Sequence, residues 1–442
     1  MGTLIIASQF ILALAILITI HEFGHFLAAR AFKTRVEKFY LFFNPWFSVF
    51  KKKIGDTEWG LGWLPLGGYV KISGMIDESM DTEQLKQEPQ PWEFRSKPAW
   101  QRLIIMLGGI IVNLIFGYLV YILVFWAYGR TYETTSNENG IYAGELFKKY
   151  GFEDGDHILK MGDKDLVTYS ELTPGILFRG EREFLVRHQN GVEEKIVLPD
   201  DIDYQAFKKD GRVLLEHRVP SVIGDMDSTT QGAKVGLQKG DRIIQVAGTQ
   251  VAYFHEISTV IEKLKGKKID VLAVRNMDTL TFNMKVTFDK KRKSSLLGIT
   301  QDRSFIERKT EKYSLAASFG AGWIHGNQIL NDYASQLKFI FTKKGAESLG
   351  GFITIANIYP DTWNWSVFWT QTAFISFILA FMNLLPIPAL DGGHVLFLLV
   401  EIVIGRPLPQ KFLEYAQMVG IFLLLGLMLY ANGNDVVGLF KK

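Results

Sequence analysis

No cysteine occurs among the 442 residues. Disulfides, thiolate metal ligands and thiol nucleophiles are therefore excluded, and any metal must be held by histidine and carboxylate. A large surplus of either charge is also lacking: 49 Lys and Arg stand against 46 Asp and Glu, a formal net charge of +3. That is too little to argue for a nucleic-acid partner. What is abundant is apolar sequence. Hydrophobic residues make up 48% and charged residues 21% of the chain, and the two kinds are segregated along it. The length exceeds one compact core, so a multi-domain fold is expected.

Three stretches are apolar enough to span a bilayer, which takes about 20 residues. Residues 4–20 are interrupted only by Ser8, Gln9 and Thr19, and the apolar pattern continues towards Ala31. Residues 103–128 and 362–390 hold no charge, and Trp363, Trp365 and Trp369 mark an aromatic belt at the start of the latter. A fourth span is expected over residues 415–434. The short run 395–400 ends at Glu401, before Gly405 and Pro407, and reads as a re-entrant or partial helix. The first span lacks the basic flank and small-residue cleavage site of a signal peptide, so it is read as a membrane helix. Arg30, Lys33, Arg35, Lys38 and the lysines at 51–53 follow it, Arg95, Lys97 and Arg102 precede the second span, and Arg406 and Lys411 lie between the last two. By the positive-inside rule these segments are cytoplasmic, and residues 130–360 are then extracytoplasmic. Lys441 and Lys442 pull the other way.

The outer region repeats itself. Gly151-Phe-Glu-Asp-Gly-Asp156-His-Ile-Leu-Lys-Met-Gly162 echoes Gly236-Leu-Gln-Lys-Gly-Asp241-Arg-Ile-Ile-Gln-Val-Ala-Gly248. Each is a Gly-Asp turn that launches an alternating strand and ends on glycine. The spacing resembles PDZ domains, with the first copy one residue shorter. Beyond it, residues 313–341 read as a helix lying on the membrane surface, with Trp323, Ile324 and Phe339 as anchors.

The chemistry is carried by Ile20-His21-Glu22-Phe23-Gly24-His25-Phe26 at the end of the first span. Residues four apart share a helix face, so His21 and His25 can offer two imidazoles to one zinc ion. Glu22, beside the first of them, can serve as general base towards a water that zinc acidifies. Three ionisable residues in an apolar span are expensive unless they are used. A catalytic zinc needs a third protein ligand, and no further His or Glu follows at the near spacing of the soluble metzincins. The leading candidate is Asp391, in Asn383-Leu-Leu-Pro386-Ile-Pro388-Ala-Leu-Asp391-Gly-Gly-His394. There two prolines break a long uncharged span and leave polar backbone at membrane depth. His394 is a rival ligand, and Asp391 as a helix cap at Gly392 is the plainer alternative.

With these motifs in hand, the chain resembles the site-2 protease family of intramembrane zinc metalloproteases, most closely its bacterial sigma-E-regulating branch. The resemblance rests on H-E-F-G-H in the first span, the tandem PDZ-like units and N-x-x-P-x-P-x-L-D-G in the third span. It implies one zinc ion held by His21, His25 and Asp391, with Glu22 as the base and Asn383 positioning substrate or polarising its carbonyl. The run Gly67, Gly68, Tyr69, Val70 and Lys71 resembles the family's cytoplasmic-side hairpin and would bind substrate. One departure is Gly350-Gly-Phe352, where family members often carry Gly-Pro. The implied location is the bacterial inner membrane, with the active site towards the cytoplasm. The implied partners are the lipid bilayer and pre-trimmed, single-pass membrane proteins such as anti-sigma factors, in a stress response, together with remnant signal peptides.

The fold class expected is an α-helical membrane domain of about four transmembrane helices with a cytoplasmic-side β-hairpin region, plus two extracytoplasmic PDZ-like α+β domains. The zinc-motif helix falls at 1–32, the hairpin region at 33–98, the second helix at 99–129 and the PDZ-like domains at 130–205 and 206–300. A juxtamembrane amphipathic segment follows at 301–362, then the third helix with its Asp ligand at 363–391 and the re-entrant segment with the fourth helix at 392–442. Residues 59–74, with turn signals at Pro65 and Gly67-Gly68, are expected to form a hairpin with an exposed edge, which either pairs with unwound substrate as an added strand or belongs to an ordinary amphipathic hairpin lying on the membrane. Two rivals compete. A transporter would need broken helices repeated in two halves, which the sequence does not show. A non-catalytic scaffold would have little use for Glu22.

Overall fold

The computed structural model describes residues 2–65, 67–75, 87–135, 138–209, 215–289, 294–340, 342, 345–346 and 349–440. Leu66, Lys441 and Lys442 lie outside them. The chain forms two compact units: Met1–Gly129 with Lys312–Ala334 and Leu349–Asp435, and Arg130–Glu311 with Ser335–Ser348 and Val436–Lys442.

In the first unit, uncharged sequence has little choice of structure. Backbone groups in a hydrocarbon layer must be satisfied within their own segment, which favours helices. Among the described residues four helices are long and apolar enough to cross a membrane: α1 (Gly2–Ala31), α2 (Ala99–Tyr128), Trp365–Leu384 and Gln410–Gly438. The helix Asp391–Ile404 has 14 residues, about 21 Å of rise, and falls short of a bilayer core of about 30 Å. This matches the partial helix expected there.

The helices α1 and α2 meet backbone to backbone at two glycines. A Cβ on Gly24 would stand 2.3 Å from the Gly108 carbonyl oxygen, and one on Gly108 would stand 2.5 Å from that of Gly24. Only glycine permits this approach, as at small-residue crossings in membranes. The helix Trp365–Leu384 packs on α2, where Ser376 Oγ donates to the Asn113 carbonyl at 2.8 Å. The helix Asp391–Ile404 is tied to α2 by a mostly buried ion pair, Arg102 to Glu401 at 2.9 Å.

Between α1 and α2 the chain builds a four-stranded sheet from β1 (Val36–Leu41), β2 (Phe50–Ile54), β3 (Thr57–Leu61) and β4 (Tyr69–Ile72). Its order is β2-β3-β1-β4. The hairpin expected over residues 59–74 does not form. β3 runs parallel to β1, β4 runs antiparallel to β1, and the tight hairpin joins β2 to β3 instead. Both β2 and β4 are edge strands. Gly68 leads β4 against α1, where a Cβ would come within 2.7 Å of both Ile18 Cγ2 and the Tyr40 carbonyl oxygen.

The second unit holds two four-stranded sheets of the same order. One runs Lys164–Asp165, His157–Met161, Glu183–Arg187, Glu193–Val197, and the other Thr249–Gln250, Arg242–Val246, Lys268–Arg275, Asp278–Lys285. The two Gly-Asp turns close alike. Asp156 accepts from the Glu153 N–H at 2.7 Å and Asp241 from the Gln238 N–H at 2.8 Å. Each sheet has its own apolar core. The expected division at 205/206 falls inside the helix Ile202–Lys209. Ala206 and Leu215 belong to the first core, and Leu215–His217 pairs with Ile141–Ala143, so packing moves the division past His217.

The amphipathic segment is a helix, Leu315–Ile340. Trp323 and Ile324 are exposed as expected of anchors, although Trp323 also stacks on Tyr118 with ring centroids 4.6 Å apart. Phe339 is not an anchor: it is 3% exposed and stacks on Phe207 at 4.5 Å.

Candidate metal centre

The site is built from α1 and from the loop that follows Trp365–Leu384. Helical spacing places His21 and His25 one turn apart, their rings edge to face at 4.8 Å. The prolines at 386 and 388 end the preceding helix at Leu384, and Ala389 takes the left-handed region at φ 76° before a new helix starts at Asp391. Gly392 lets that first turn press on the broken loop, since a Cβ there would lie 2.2 Å from the Leu385 carbonyl oxygen. The helix has Leu390 as its N-cap residue and no side-chain cap hydrogen bond, so Asp391 does not serve as the cap. Its carboxylate faces the imidazoles.

His21 Nε2 lies 3.2 Å and His25 Nε2 3.3 Å from Asp391 Oδ2, and the two nitrogens are 3.3 Å apart. These are the edges of a nearly equilateral triangle. A tetrahedral zinc with bonds of about 2.0–2.2 Å requires ligand-to-ligand edges of about 3.3–3.6 Å. The donor chemistry fits as well. His25 Nδ1 donates to the Ile105 carbonyl at 2.9 Å, which leaves the Nε2 lone pair pointing into the triangle. Asp391 Oδ2 is buried without a hydrogen-bond partner. Acceptor atoms this close repel unless a cation lies among them. Among the described residues one other His–carboxylate cluster exists, Glu153, Asp156 and His188. There His188 already spends both ring nitrogens on Asp156 and Glu194, at 2.8 and 3.1 Å.

All the residues singled out from the sequence line one cavity of about 910 Å³: His21, Glu22, His25, Asn383, Asp391 and the run Gly67 to Val70. Glu22 is half-buried beside the Val70 backbone N–H. The Asn383 carboxamide lies 3.4 Å from His21 Nε2. His394 lines the cavity but stands outside the converging triangle. Two contributors escaped the sequence reading. The Asn113 carboxamide, fully buried on α2, lies 3.3 Å from His21 Nδ1. Gly109 is pressed against both rings, so that a Cβ there would stand 2.5 Å from His25 Nε2. A lone asparagine in an otherwise uncharged apolar span was the available signal.

Comparison with known proteins shows the family of the chain. The model of peptidase family M50 matches residues 9–427. The chain belongs to peptidase family M50, the site-2 proteases. This M50 metalloprotease is 29% identical over 462 residues to the regulator of sigma-E protease RseP of Salmonella typhimurium, covering 97% of each chain. It is 28% identical over 454 residues to a Neisseria meningitidis protein provisionally named as a zinc metalloprotease, covering 97% of this chain and 98% of the other. Metalloprotease MmpA of Caulobacter vibrioides is 26% identical over 448 residues, with 98% and 96% covered. Among solved structures, the PDZ domain of an SdrC-like protein from Listeria monocytogenes aligns to 20% of this chain and 93% of its own, at 21% identity and a TM-score of 0.17.

Proposed function

We propose that this M50 peptidase cuts peptide bonds within or beside the transmembrane segments of other membrane proteins. Glu22 acts as general base, and His21, His25 and Asp391 hold one zinc ion. The observation that carries the reading is the triangle of three ligand atoms opening, with Glu22, on a single cavity. Bound zinc supplies Lewis acidity for activating water and polarising a carbonyl. Glu22 takes the proton of the attacking water and passes it to the leaving amine. The Asn383 carboxamide donates to the scissile carbonyl as charge develops on it.

A substrate helix hides its peptide bonds in its own hydrogen-bond ladder and must be unwound first. The outer edge of β4, which runs past Glu22 at Val70, pairs with the unwound segment as an added strand, with Gly67, Gly68, Tyr69 and Val70 in contact with it. The chain lies in the bacterial inner membrane with this site towards the cytoplasm, as its basic segments suggest. The two repeated sheets of the second unit are extracytoplasmic PDZ-like domains that admit only pre-trimmed substrates. Those substrates are single-pass anti-sigma factors and remnant signal peptides; the Salmonella relative is named a regulator of sigma-E protease.

The test uses purified full-length protein with a tagged single-pass substrate, with and without chelator. Glu22→Gln should keep its zinc and lose cleavage, and cutting at the wild-type rate by that variant would refute the assignment. Val70→Pro should impair cleavage without loss of zinc. Deleting residues 130–300 should allow untrimmed substrates to be cut.

A further inference from the structure

We infer that Gln417 is a substrate-binding residue whose carboxamide takes up a main-chain peptide group of the unwound substrate. The inference rests on the proteolytic reading above. Gln417 lies on the helix Gln410–Phe440, is 3% exposed and lines the same cavity as His21, Glu22 and Asn383. Its Oε1 is buried and finds no donor. The residues after it, Met418, Val419, Gly420, Ile421 and Phe422, are apolar. An unpartnered buried amide costs free energy that an apolar side chain of the same length would avoid. Packing of the helix therefore gives no reason for a glutamine here.

Its placement is nonetheless held tightly. One turn further on, a Cβ at Gly420 would stand 1.9 Å from the Pro388 carbonyl oxygen. The last helix thus rests on the proline-broken loop that leads into Asp391, and the register of Gln417 is tied to that of the metal centre.

The chemistry of the missing partner follows from the substrate's own backbone. In an extended strand, main-chain N–H and C=O groups point alternately to its two sides. Pairing with β4 satisfies one side and leaves the other bare in a water-poor cavity, where unpaired groups are costly. A carboxamide offers a donor and an acceptor side by side, the complement of a peptide group. Gln417 is an uncommitted carboxamide in that cavity.

The experiment compares wild type, Gln417→Met and Glu22→Gln as full-length protein on the tagged single-pass substrate. It reads kcat, KM, bound zinc and the thermal midpoint. Methionine keeps the length and removes the amide. The expected result for Gln417→Met is kcat/KM lower by about three- to tenfold, the scale of one hydrogen bond. Zinc content should stay at the wild-type level, and the midpoint should be unchanged or higher because an orphaned acceptor is gone. Wild-type kcat/KM overturns the inference, as does a loss of zinc or a lower midpoint, either of which makes Gln417 structural. If wild type shows no chelator-sensitive cleavage, or Glu22→Gln cuts normally, the proteolytic reading itself fails. If those controls hold and Gln417→Met is silent, only the role of Gln417 fails.

Discussion

Substituting Gly24 by alanine should disable the metal centre without touching a ligand. The new methyl would sit 2.3 Å from the Gly108 carbonyl oxygen and 2.9 Å from Gly109 Cα. Ordinary contact needs about 1 Å more, and backbone cannot turn aside as a side chain can, so α1 must back away from α2. Overpacking of this kind costs about 1–3 kcal/mol. The larger effect is geometric. A retreat of about 1 Å would stretch the 2.9 Å bond from His25 Nδ1 to the Ile105 carbonyl beyond hydrogen-bonding range. Asp391 stays with α2, because its helix is tied there through Glu401 and Arg102. The imidazole-to-carboxylate distances of 3.2 and 3.3 Å then open by a similar amount, whereas zinc ligands tolerate about 0.2 Å. Zinc affinity, read by competition with a chromophoric chelator, should fall at least tenfold, and cleavage should fall with it. Gly426→Ala is the matched control, since a Cβ there meets nothing within 4 Å. Wild-type zinc affinity and cleavage in Gly24→Ala would refute the argument.

Three further outcomes follow from the same geometry. Asn113→Leu removes the carboxamide beside His21 Nδ1 and should weaken zinc binding by about 10–100-fold; equal affinity in a competition titration would deny it that role. Glu401→Gln leaves Arg102 without its counter-charge and should lower the thermal midpoint, a broken buried pair being worth about 3–5 kcal/mol. Replacing both residues by methionine should recover most of that loss, and a double variant no better than the single one would contradict this. In the second unit, Asp156 raises the pKa of His188, with Glu194 adding to it, so the pair's contribution is complete below the ordinary imidazole value of about 6.5. It is lost as pH rises through the raised value. Amide exchange in Glu183–Arg187 should therefore lose protection above neutrality, beyond the intrinsic pH effect. Exchange in Lys268–Arg275 should not, because Asp241 there is held by Arg275 at 2.6 Å. An equal response in both sheets, or one that persists in His188→Arg, would sink the prediction.

How much of this could be read in advance depended on the range of the interactions. The His21–His25 pairing was legible because helical spacing alone brings the rings together. Asp391 stood out because two prolines break an uncharged span just before it and the histidine pair needs a third ligand, although a helix cap was the plainer use for it alone. The repeat was legible because its turn chemistry is local: the same aspartate bonds the N–H three residues back in both copies. Gly108 and Gly109 were not, since an apolar helix gives no sign of which face meets its neighbour, and Asn113 was marked by its polarity but not by what it would face. The sheet order was missed for a related reason. Chain proximity favours pairing β3 with β4, but β1 lies between them and pairs with both. Phe339 was taken for an anchor because its partners, Phe207 and Tyr204, lie far away in sequence.

The two rims of the small sheet are unlike. β2 is solvent-facing and carries Lys51, Lys52 and Lys53, a composition that discourages any further chain from joining there. β4, with a single lysine, borders the cavity. If β4 takes up the substrate as proposed, recruitment is directed to one rim, and that rim would recognise amide groups common to every polypeptide. Selection among targets would then depend less on their side chains than on how readily each coil of helix surrenders its internal bonds. Glycine, proline or buried polar residues near the cut, by loosening that coil, would make a protein vulnerable.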